Sequence, residues 1–313
     1  MESIGRGAVL GERYRLEEPL GRGSMGQVWR GLDQHLQRRV AVKTLASGVF
    51  DDPADRGRLK LRFEREAKAA AALDHANVAT VYDADITSEL CWLVMQLIEG
   101  ATLGVILGER QRLDPEAASS VTAQICSGLS AAHAAGLVHR DLKPENVMVR
   151  RDGVVKILDF GLVKHMTQQG ARLTASGESP GNFRYASPEL LSGSSEFDAR
   201  SDLYSVGCLL HHLLSGSPPF GAEPPVIQLR SRLAGPPPSL AALGVQVRPG
   251  LQELLTALLA PDPADRPASA REVYAGLGPH LPVSRCGDAR ALAAYGPEDP
   301  CRPFALPQGP HLG

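Results

Sequence analysis

What most limits the fold of this chain is a change of pattern about one third of the way along its sequence. From Tyr14 to about Met95, short segments typical of strands alternate with turns, and one helical segment interrupts them. The strand segments are YRLEEPL, GQVWRGLD, RRVAVKTL, VATVYDADI and CWLVMQLI. From about Asp114 onward, apolar helices replace the strands. A small strand-rich lobe followed by a larger helical lobe predicts an α+β fold.

The predicted helices have recognisable faces and ends. Segment 59–74 is rich in Ala, Leu, Lys and Glu, and its apolar residues recur at helical spacing. Segment 114–136 begins with Asp114 as a cap, continues with proline at the first helical position and ends at Gly136. Further apolar helices are predicted at 201–216 and 250–260.

Composition and charge exclude several classes of protein. Hydrophobic residues make up 43% of the chain and charged residues 22%, as in soluble globular proteins. The formal net charge of −2 gives no indication of a nucleic-acid-binding protein. No stretch reaches the roughly 18 uninterrupted apolar residues of a membrane span, and the start lacks the apolar core of a signal peptide. A cytoplasmic protein without a membrane span is expected.

The five cysteines are scattered along the chain and never occur in C-x-x-C spacing. Neither a disulfide framework nor a zinc site is predicted from such a pattern. Cys91, Cys126 and Cys208 lie among apolar residues, so we expect buried and unreactive thiols.

Gly21, Gly23 and Gly26 in the segment LGRGSMGQV have the spacing G-x-G-x-x-G, which occurs in two unrelated phosphate-binding loops. In a Rossmann unit the loop precedes a helix, because the pyrophosphate lies at the helix N-terminus. Here Val28 and Trp29 follow and favour a strand. The spacing alone also occurs in ordinary turns, but with a strand on each side it favours a glycine-rich hairpin that covers phosphates.

Further motifs follow in the order that a protein kinase requires. These are VAVK ending at Lys43, HRDLKPEN (139–146), DFG (159–161) and SPE (187–189). With them, the sequence resembles the eukaryotic-like (Hanks-type) bacterial serine/threonine protein kinases from about Tyr14 to Leu281. The resemblance implies an α+β, bilobal protein-kinase-like fold, with one key helix in its small strand-rich lobe.

The resemblance also implies a division of the chain into segments. A short extension (1–13) precedes a kinase domain (14–281), which comprises an N-lobe (14–95), a hinge (96–100) and a C-lobe (101–281). The remaining residues, 282–313, contain six prolines and four glycines. Such a composition rarely packs a core and predicts a flexible tail.

By the resemblance, the chain binds ATP together with Mg²⁺, for which Mn²⁺ could substitute. Lys43 is expected to contact the α- and β-phosphates, and its partner within the helix 59–74 is Glu66, with Glu64 as the competing choice. A lysine that faces inward from an apolar strand needs such an acidic partner.

The remaining nucleotide contacts are also carried over from the family. The glycine hairpin covers the triphosphate, Val28 and Ala41 lie above the adenine, and Met148 lies beneath it. Met95 is the expected gatekeeper at the hinge. For the three adenine contacts, an apolar wall without a ligand is the alternative interpretation. The full set expected to contact ATP is Leu20, Gly21, Gly23, Gly26, Val28, Ala41, Lys43, Glu66, Met95, Leu97 and Met148.

The catalytic roles follow from what phosphoryl transfer requires, namely positioned phosphates, a bound metal and an oriented hydroxyl. The resemblance implies that Asp141 accepts or orients the proton of the substrate hydroxyl and that Lys143 steadies the γ-phosphate. Asn146 and Asp159 are the expected metal ligands. The segment DLKPEN, with Lys143, is typical of kinases that act on serine and threonine.

Other polar residues are expected to support the site. Glu189 and Arg266 should form a buried ion pair below the substrate-binding segment. Asp202 should anchor the backbone of the catalytic loop, and His139 is expected mainly to pack.

The implied function is transfer of the γ-phosphate of ATP to hydroxyl groups of protein substrates. The alternative is a pseudokinase that serves as a nucleotide-binding scaffold, although none of the key residues is replaced. Thr174 and Ser176 have the spacing of phosphorylation sites in the activation loop, where Arg140 would bind the phosphate. A kinase homodimer could form during this autophosphorylation. Asn182 departs from the threonine that is usual in the family.

Overall fold

A computed structural model describes residues 5–23, 26–45, 53–86, 90–160, 183–193, 198–221, 225–282 and 295–305. The chain divides into two compact units. The first comprises the described residues up to His75 and the described residues from Ala79 to Ile98. The second comprises Ala76–Val78 and the described residues from Glu99 onward. The change of unit after Ile98 falls inside the segment 96–100.

The first unit is built on a six-stranded antiparallel sheet with the strand order β1-β2-β3-β4-β6-β5. Helix α1 (Pro53–Ala71) packs against β5. The strands are β1 Val9–Leu10, β2 Tyr14–Gly23, β3 Gly26–Asp33, β4 Arg38–Leu45, β5 Val81–Ile86 and β6 Cys91–Gln96. The predicted strand-rich lobe with one helix is confirmed.

Two boundaries in this unit differ from the prediction. Helix α1 begins at Pro53 rather than at residue 59. Proline is favourable in the first turn of a helix. The earlier start was not predicted because the polar residues after Pro53 show no apolar residues at helical spacing. Strand β5 begins at Val81, whereas Val78 belongs to the second unit and forms an isolated parallel bridge with Ile157 of that same unit. The N-terminal extension also contributes, since Leu10 in β1 is buried against the sheet.

One face of the sheet carries an apolar core. Its buried residues are Leu10, Tyr14, Leu16, Trp29, Val40, Val42, Trp92 and Val94. Because side chains alternate between the two faces of a strand, Ala41 and Lys43 of β4 lie on the opposite face. This alternation keeps the predicted nucleotide-contacting residues away from the core.

The second unit is mainly helical, with a small antiparallel sheet in the order β7-β8-β9. Its strands are β7 Gly100–Thr102, β8 Val147–Arg150 and β9 Val155–Ile157. Its helices are α2 Leu103–Arg110, α3 Pro115–Ala134, α4 Pro188–Leu191, α5 Ala199–Ser215, α6 Pro225–Ala234, α7 Pro249–Leu258, α8 Ala270–Leu277 and α9 Arg302–Ala305. Together the two units confirm the predicted α+β organisation.

Helices α3 and α5 form the centre of the second unit and are largely buried. As predicted, Asp114 caps α3, and its carboxylate accepts the N–H groups of Glu116 (3.0 Å) and Ala117 (2.9 Å). Helix α5 starts slightly earlier than predicted, because the Asp198 carboxylate accepts the N–H of Arg200 at 2.7 Å and caps it there.

The prediction of a flexible tail is wrong for residues 295–305. Pro300, Cys301, Phe304 and Ala305 are buried, and the segment ends in the short helix α9. Proline lowers the entropy lost on ordering a chain, so a proline-rich segment can dock when it finds hydrogen-bond partners. Here the buried amide of Gln124 in α3 donates to the carbonyl of Pro300 at 3.1 Å.

Within the described ranges, no helix is long and apolar enough to cross a membrane. The cysteines described in the structure, Cys91, Cys126, Cys208 and Cys301, are buried and form no disulfide. Burial raises the pKa of the Cys91 and Cys208 thiols to about 12, which keeps them protonated and unreactive. The expected burial of Cys91, Cys126 and Cys208 is confirmed.

Candidate active site

The glycine motif lies in the hairpin formed by β2 and β3, where Gly21 pairs with Val28 and Gly23 with Gly26. A strand follows the motif, so a Rossmann loop is excluded and the predicted hairpin is confirmed. Gly26 has φ +147°, and a Cβ there would lie 1.9 Å from the carbonyl oxygen of Thr44. The third glycine is therefore required by the neighbouring strand, a constraint that the sequence did not reveal. A Cβ on Gly21 would meet no atom within 4 Å.

The register of the sheet brings several predicted nucleotide contacts onto one face. Val28 lies opposite Lys43 across β3 and β4, and Ala41 lies opposite Met95 across β4 and β6. Directly opposed residues of neighbouring strands share a face, so these four side chains line the face away from the apolar core. Ala41 and Met95 are buried, whereas Val28 and Lys43 are half-buried.

The other predicted contacts of the first unit lie in β2, just after β6 and in α1. Leu20 is exposed in β2, and Leu97 is half-buried just after β6. Glu66 is half-buried in α1, where it is flanked by the buried residues Phe63 and Ala67. The pairing of Lys43 with Glu66 stays a prediction.

In the second unit, the loop before β8 gathers three of the predicted catalytic and metal-binding side chains. The ammonium nitrogen of Lys143 lies 3.0 Å from Oδ2 of Asp141. Nδ2 of Asn146 donates to the same oxygen at 3.1 Å and to the Asp141 backbone carbonyl at 2.8 Å. The side chains of Asp141 and Lys143 are only 15% and 19% exposed. A lysine and an amide thus converge on one carboxylate.

The orientation of Asn146 suits a metal ligand. The side-chain NH₂ group of Asn146 donates both of these hydrogen bonds to Asp141, so the amide oxygen Oδ1 is the atom suited to coordinate a cation. The N–H of Leu158 donates to the Asn146 backbone carbonyl at 2.8 Å, which brings Asn146 beside the residue preceding Asp159. An amide oxygen and a carboxylate are hard ligands of the kind that Mg²⁺ prefers, with water and phosphate oxygens completing the shell. The residues present therefore fit a divalent metal.

His139 does more than pack. It is completely buried, and its ring lies 5.1 Å from the ring of Phe160. Nδ1 accepts the backbone N–H of Asp141 at 3.2 Å, so the ring proton belongs on Nε2, which donates to the Leu158 carbonyl at 2.8 Å. With both nitrogens engaged, His139 ties the catalytic loop to the segment that carries Asp159.

Asp202, at the start of α5, holds the backbone of the catalytic loop at His139 and Arg140, as predicted. Its carboxylate accepts the N–H groups of His139 and Arg140, each at 2.8 Å. It also contacts Nε2 of His133 at 2.8 Å, a partner from α3 that the sequence did not indicate. Burial disfavours the ionised form, but the bond to His133 and the other hydrogen bonds outweigh it and lower the pKa of Asp202.

Two residues of the site have left-handed backbone conformations that are unusual outside glycine. Arg140 has φ +63° and Asp159 has φ +49°. Such conformations cost free energy and persist only where the surroundings fix them. Both lie next to residues held by the hydrogen bonds of His139, which supplies that restraint.

The predicted ion pair between Glu189 and Arg266 is present and bidentate. The two guanidinium nitrogens of Arg266 donate to the two oxygens of Glu189 at 2.8 and 2.9 Å. Ser201 donates to Oε1 of Glu189 at 2.6 Å. Burial raises the pKa of Glu189, but the hydrogen bonds from Arg266 and Ser201 outweigh burial and leave this pKa below its ordinary value.

Arg232 of α6 is a further residue that the sequence did not single out. It is 1% exposed, and its NH2 nitrogen donates to the carbonyls of Phe183 (2.8 Å) and Arg184 (2.9 Å). It therefore pins the backbone just before the SPE motif. A lone arginine in an ordinary helix carries no local pattern, so sequence alone gave no signal.

Several predicted residues lie outside the described part of the chain. They are the glycine of the DFG motif, the candidate phosphorylation sites Thr174 and Ser176, and Asn182. In the second unit, Met148 is half-buried in β8, opposite Thr102 of β7.

A family model described as the protein kinase domain matches residues 14–275. A probable serine/threonine-protein kinase of Streptomyces coelicolor is 37% identical over 294 residues, 92% of this chain and 43% of that protein. The serine/threonine-protein kinase PknL of Mycobacterium tuberculosis is 39% identical over 270 residues, 86% of this chain and 66% of PknL.

PknB of Mycolicibacterium smegmatis is 36% identical over 272 residues, 86% of this chain and 43% of PknB. The chain thus spans between 43% and 66% of the length of these relatives. The family match covers most of the chain, and the two units have the organisation that the resemblance implied. The chain belongs to the protein kinase domain family, with bacterial Hanks-type serine/threonine kinases as its relatives.

Proposed function

We propose that this chain is an ATP-dependent serine/threonine protein kinase. The observation that carries the proposal is the convergence of Lys143 and Asn146 on the carboxylate of Asp141. Phosphoryl transfer needs little covalent chemistry from the protein, so catalysis depends on positioning and on charge. A half-buried cluster of one carboxylate, one ammonium group and one amide supplies both.

Each side chain then has a distinct task. Asp141 orients the substrate hydroxyl and accepts its proton. Lys143 lies close enough to Asp141 to contact the phosphoryl group during transfer. Asn146 and Asp159 would hold Mg²⁺, or Mn²⁺ in its place, and a bound metal would supply positive charge against the phosphates. Lys43, on the same sheet face as Val28 and Ala41, contacts the α- and β-phosphates.

The relatives support serine and threonine as the accepting residues, since PknL and PknB are named serine/threonine-protein kinases. The segment DLKPEN points the same way, because Lys143 is typical of that class. Protein substrates and ATP are therefore the proposed partners.

The test is phosphate transfer by the purified chain to a generic basic protein, with radiolabelled ATP and Mg²⁺. Replacement Asp141→Asn removes the proton acceptor but leaves the nucleotide contacts, so transfer should be lost and binding of a fluorescent ATP analogue kept. The matched control is Asp152→Asn. Among the described residues, the exposed carboxylate of Asp152 contacts Arg150 and the backbone N–H of Val154, and this variant should retain full activity.

Transfer by the Asp141→Asn variant at close to the wild-type rate would refute the role given to Asp141. ATP binding by the wild type without any transfer would instead support the pseudokinase alternative.

We further propose that autophosphorylation at Thr174 and Ser176, within a transient homodimer, regulates the enzyme. The motivation is their sequence spacing and the presence of Arg140 directly before Asp141, since a phosphate forms strong charge-assisted hydrogen bonds with arginine. Peptide mass spectrometry after incubation with Mg-ATP tests this proposal. Full activity with neither residue phosphorylated would overturn it.

A further inference from the structure

The segment Tyr295–Ala305, here called the C-terminal clasp, has a local fold of its own. The carboxylate of Asp299 accepts the N–H of Cys301 at 2.9 Å, and its backbone carbonyl accepts the N–H of Arg302 at 3.0 Å. These bonds start the short helix α9, in which Phe304 is buried. An aspartate that caps a turn in this way fixes the conformation of the residues after it.

The clasp lies directly on the turn that joins β8 to β9. Gly153 in this turn has φ +80°, and a Cβ there would lie 2.1 Å from the carbonyl oxygen of Asp299. The same Cβ would lie 3.3 Å from Cδ of Pro303. Glycine at position 153 therefore serves both the turn and the close approach of the clasp backbone.

Gln124 of α3 connects the clasp to strand β9. Its side chain is buried, and Nε2 donates to the carbonyls of Gly153 (3.2 Å) and Pro300 (3.1 Å). Oε1 accepts the N–H of Val155 at 2.9 Å and Nδ2 of Asn77 at 3.1 Å. The hydrogen bonds of this amide are complete only when the clasp is docked. Undocking would leave a buried N–H group without its protein partner, which is unfavourable.

Strand β9 carries this restraint toward the site. Asn77 donates to the Val155 carbonyl at 2.9 Å and accepts the N–H of Ile157 at 2.8 Å, so β9 is held on the edge away from β8. Leu158 follows and is bonded to Asn146 and to His139. Asp159 is the next residue.

We propose that the C-terminal clasp is a positioning element of the phosphoryl-transfer site. By completing the hydrogen bonds of Gln124, it holds β9 in place, and β9 sets the position of Leu158 and Asp159. The clasp touches neither ATP nor protein substrate in this scheme. The effect on catalysis rests on the proposed kinase function, whereas the effect on β9 does not.

The first test compares two shortened proteins. One lacks residues 295–313 and so loses the clasp, and the matched control lacks only 306–313. Without the clasp, the amide protons of Val155 and Leu158 should exchange with solvent at least tenfold faster. The kcat of phosphate transfer should fall at least fivefold, while the KM for the protein substrate changes less than twofold, because Asp159 acts on the metal and the nucleotide. The control should match the full chain in all three measurements.

The second test adds a synthetic peptide of the sequence Tyr295–Ala305 to the protein that lacks the clasp. The peptide should restore slow exchange at Val155 and Leu158 and recover kcat, whereas a scrambled peptide should do neither. If the shortened protein does not fold, the full-length variant Asp299→Ala replaces it, because it removes the carboxylate that accepts the N–H of Cys301 inside the clasp and leaves the turn at Gly153 unchanged. That variant should show the same rise in exchange and the same loss in kcat.

Unchanged exchange at Val155 and Leu158 after loss of the clasp would overturn the proposal. Faster exchange with an unchanged kcat would also overturn it, because the clasp would then support the fold without positioning the site. If the full chain transfers no phosphate at all, the proposed function fails. The proposal for the clasp then fails as a statement about catalysis, while exchange and its recovery by the peptide still decide whether the clasp positions β9.

Discussion

Replacement Asp202→Asn is expected to loosen the catalytic loop without changing the volume of the side chain. Asp202 is completely buried, and its two oxygens receive three contacts at 2.8 Å, from the N–H groups of His139 and Arg140 and from Nε2 of His133. Asparagine has one side-chain oxygen instead of two. Its NH₂ group would take the place of the other oxygen and would then face a hydrogen-bond donor. At least one bond to a charged acceptor is lost and its donor stays buried, which costs about 3 kcal/mol.

The measurement is thermal unfolding followed by calorimetry. For a protein of 313 residues, a loss of about 3 kcal/mol lowers Tm by roughly 5 °C. The matched control is Asp198→Asn at the start of the same helix. Asp198 is exposed and caps α5 through the N–H of Arg200. Asparagine caps about as well as aspartate, so this Tm should hardly change.

The pH dependence gives a second readout for Asp202. Its pKa is lowered in the folded state, so the unfolded chain takes up the proton first as the pH falls. The carboxylate therefore stabilises the protein above its ordinary pKa, and this contribution is lost in acid. The Asp202→Asn variant should lose less stability than the wild type on acidification. An Asp202→Asn variant with the Tm of the Asp198→Asn control would refute the reasoning.

Three further predictions concern the second unit. Arg266→Met should cost about 3–5 kcal/mol in urea unfolding because it strands the Glu189 carboxylate, and the double variant with Glu189→Gln should cost less than the sum of the single changes. Arg232→Met should raise the KM for protein substrate and leave the KM for ATP unchanged in steady-state kinetics; the reverse pattern would contradict its role in pinning the backbone before the SPE motif. Burial, then the charges of His211 and Arg184, lower the pKa of His212 to about 4, so the unfolded state binds its proton first. The free energy of unfolding should therefore fall from pH 6.5 toward pH 4, and His212→Phe should flatten this slope in urea titrations at several pH values.

The catalytic cluster could be predicted because its members are close in sequence. Asp141, Lys143 and Asn146 lie within six residues, and the short 3-10 turn Pro144–Asn146 brings their side chains together. The pair Glu189 and Arg266 is 77 residues apart, and only the resemblance to a family could join its members.

The contacts that sequence missed share a different property. His133, Arg232 and Gln124 are ordinary helix residues whose partners lie far along the chain, so no local pattern marks them. The clasp was missed for a further reason. Its content of proline and glycine predicts disorder. The segment is nevertheless ordered because it docks on two particular partners, the turn at Gly153 and the amide of Gln124.

The close approach of Gly26 to strand β4 changes what the glycine motif can report about function. Any side chain at position 26 would strike the carbonyl oxygen of Thr44, whether or not a nucleotide is present. Selection for a stable sheet would therefore retain this glycine even in a descendant that had given up ATP. Gly21 is under no such structural constraint, because a Cβ at that position would meet open space. In a chain of this kind, the first glycine of the motif is therefore the better indicator of nucleotide binding. The third glycine mainly indicates the geometry of the hairpin.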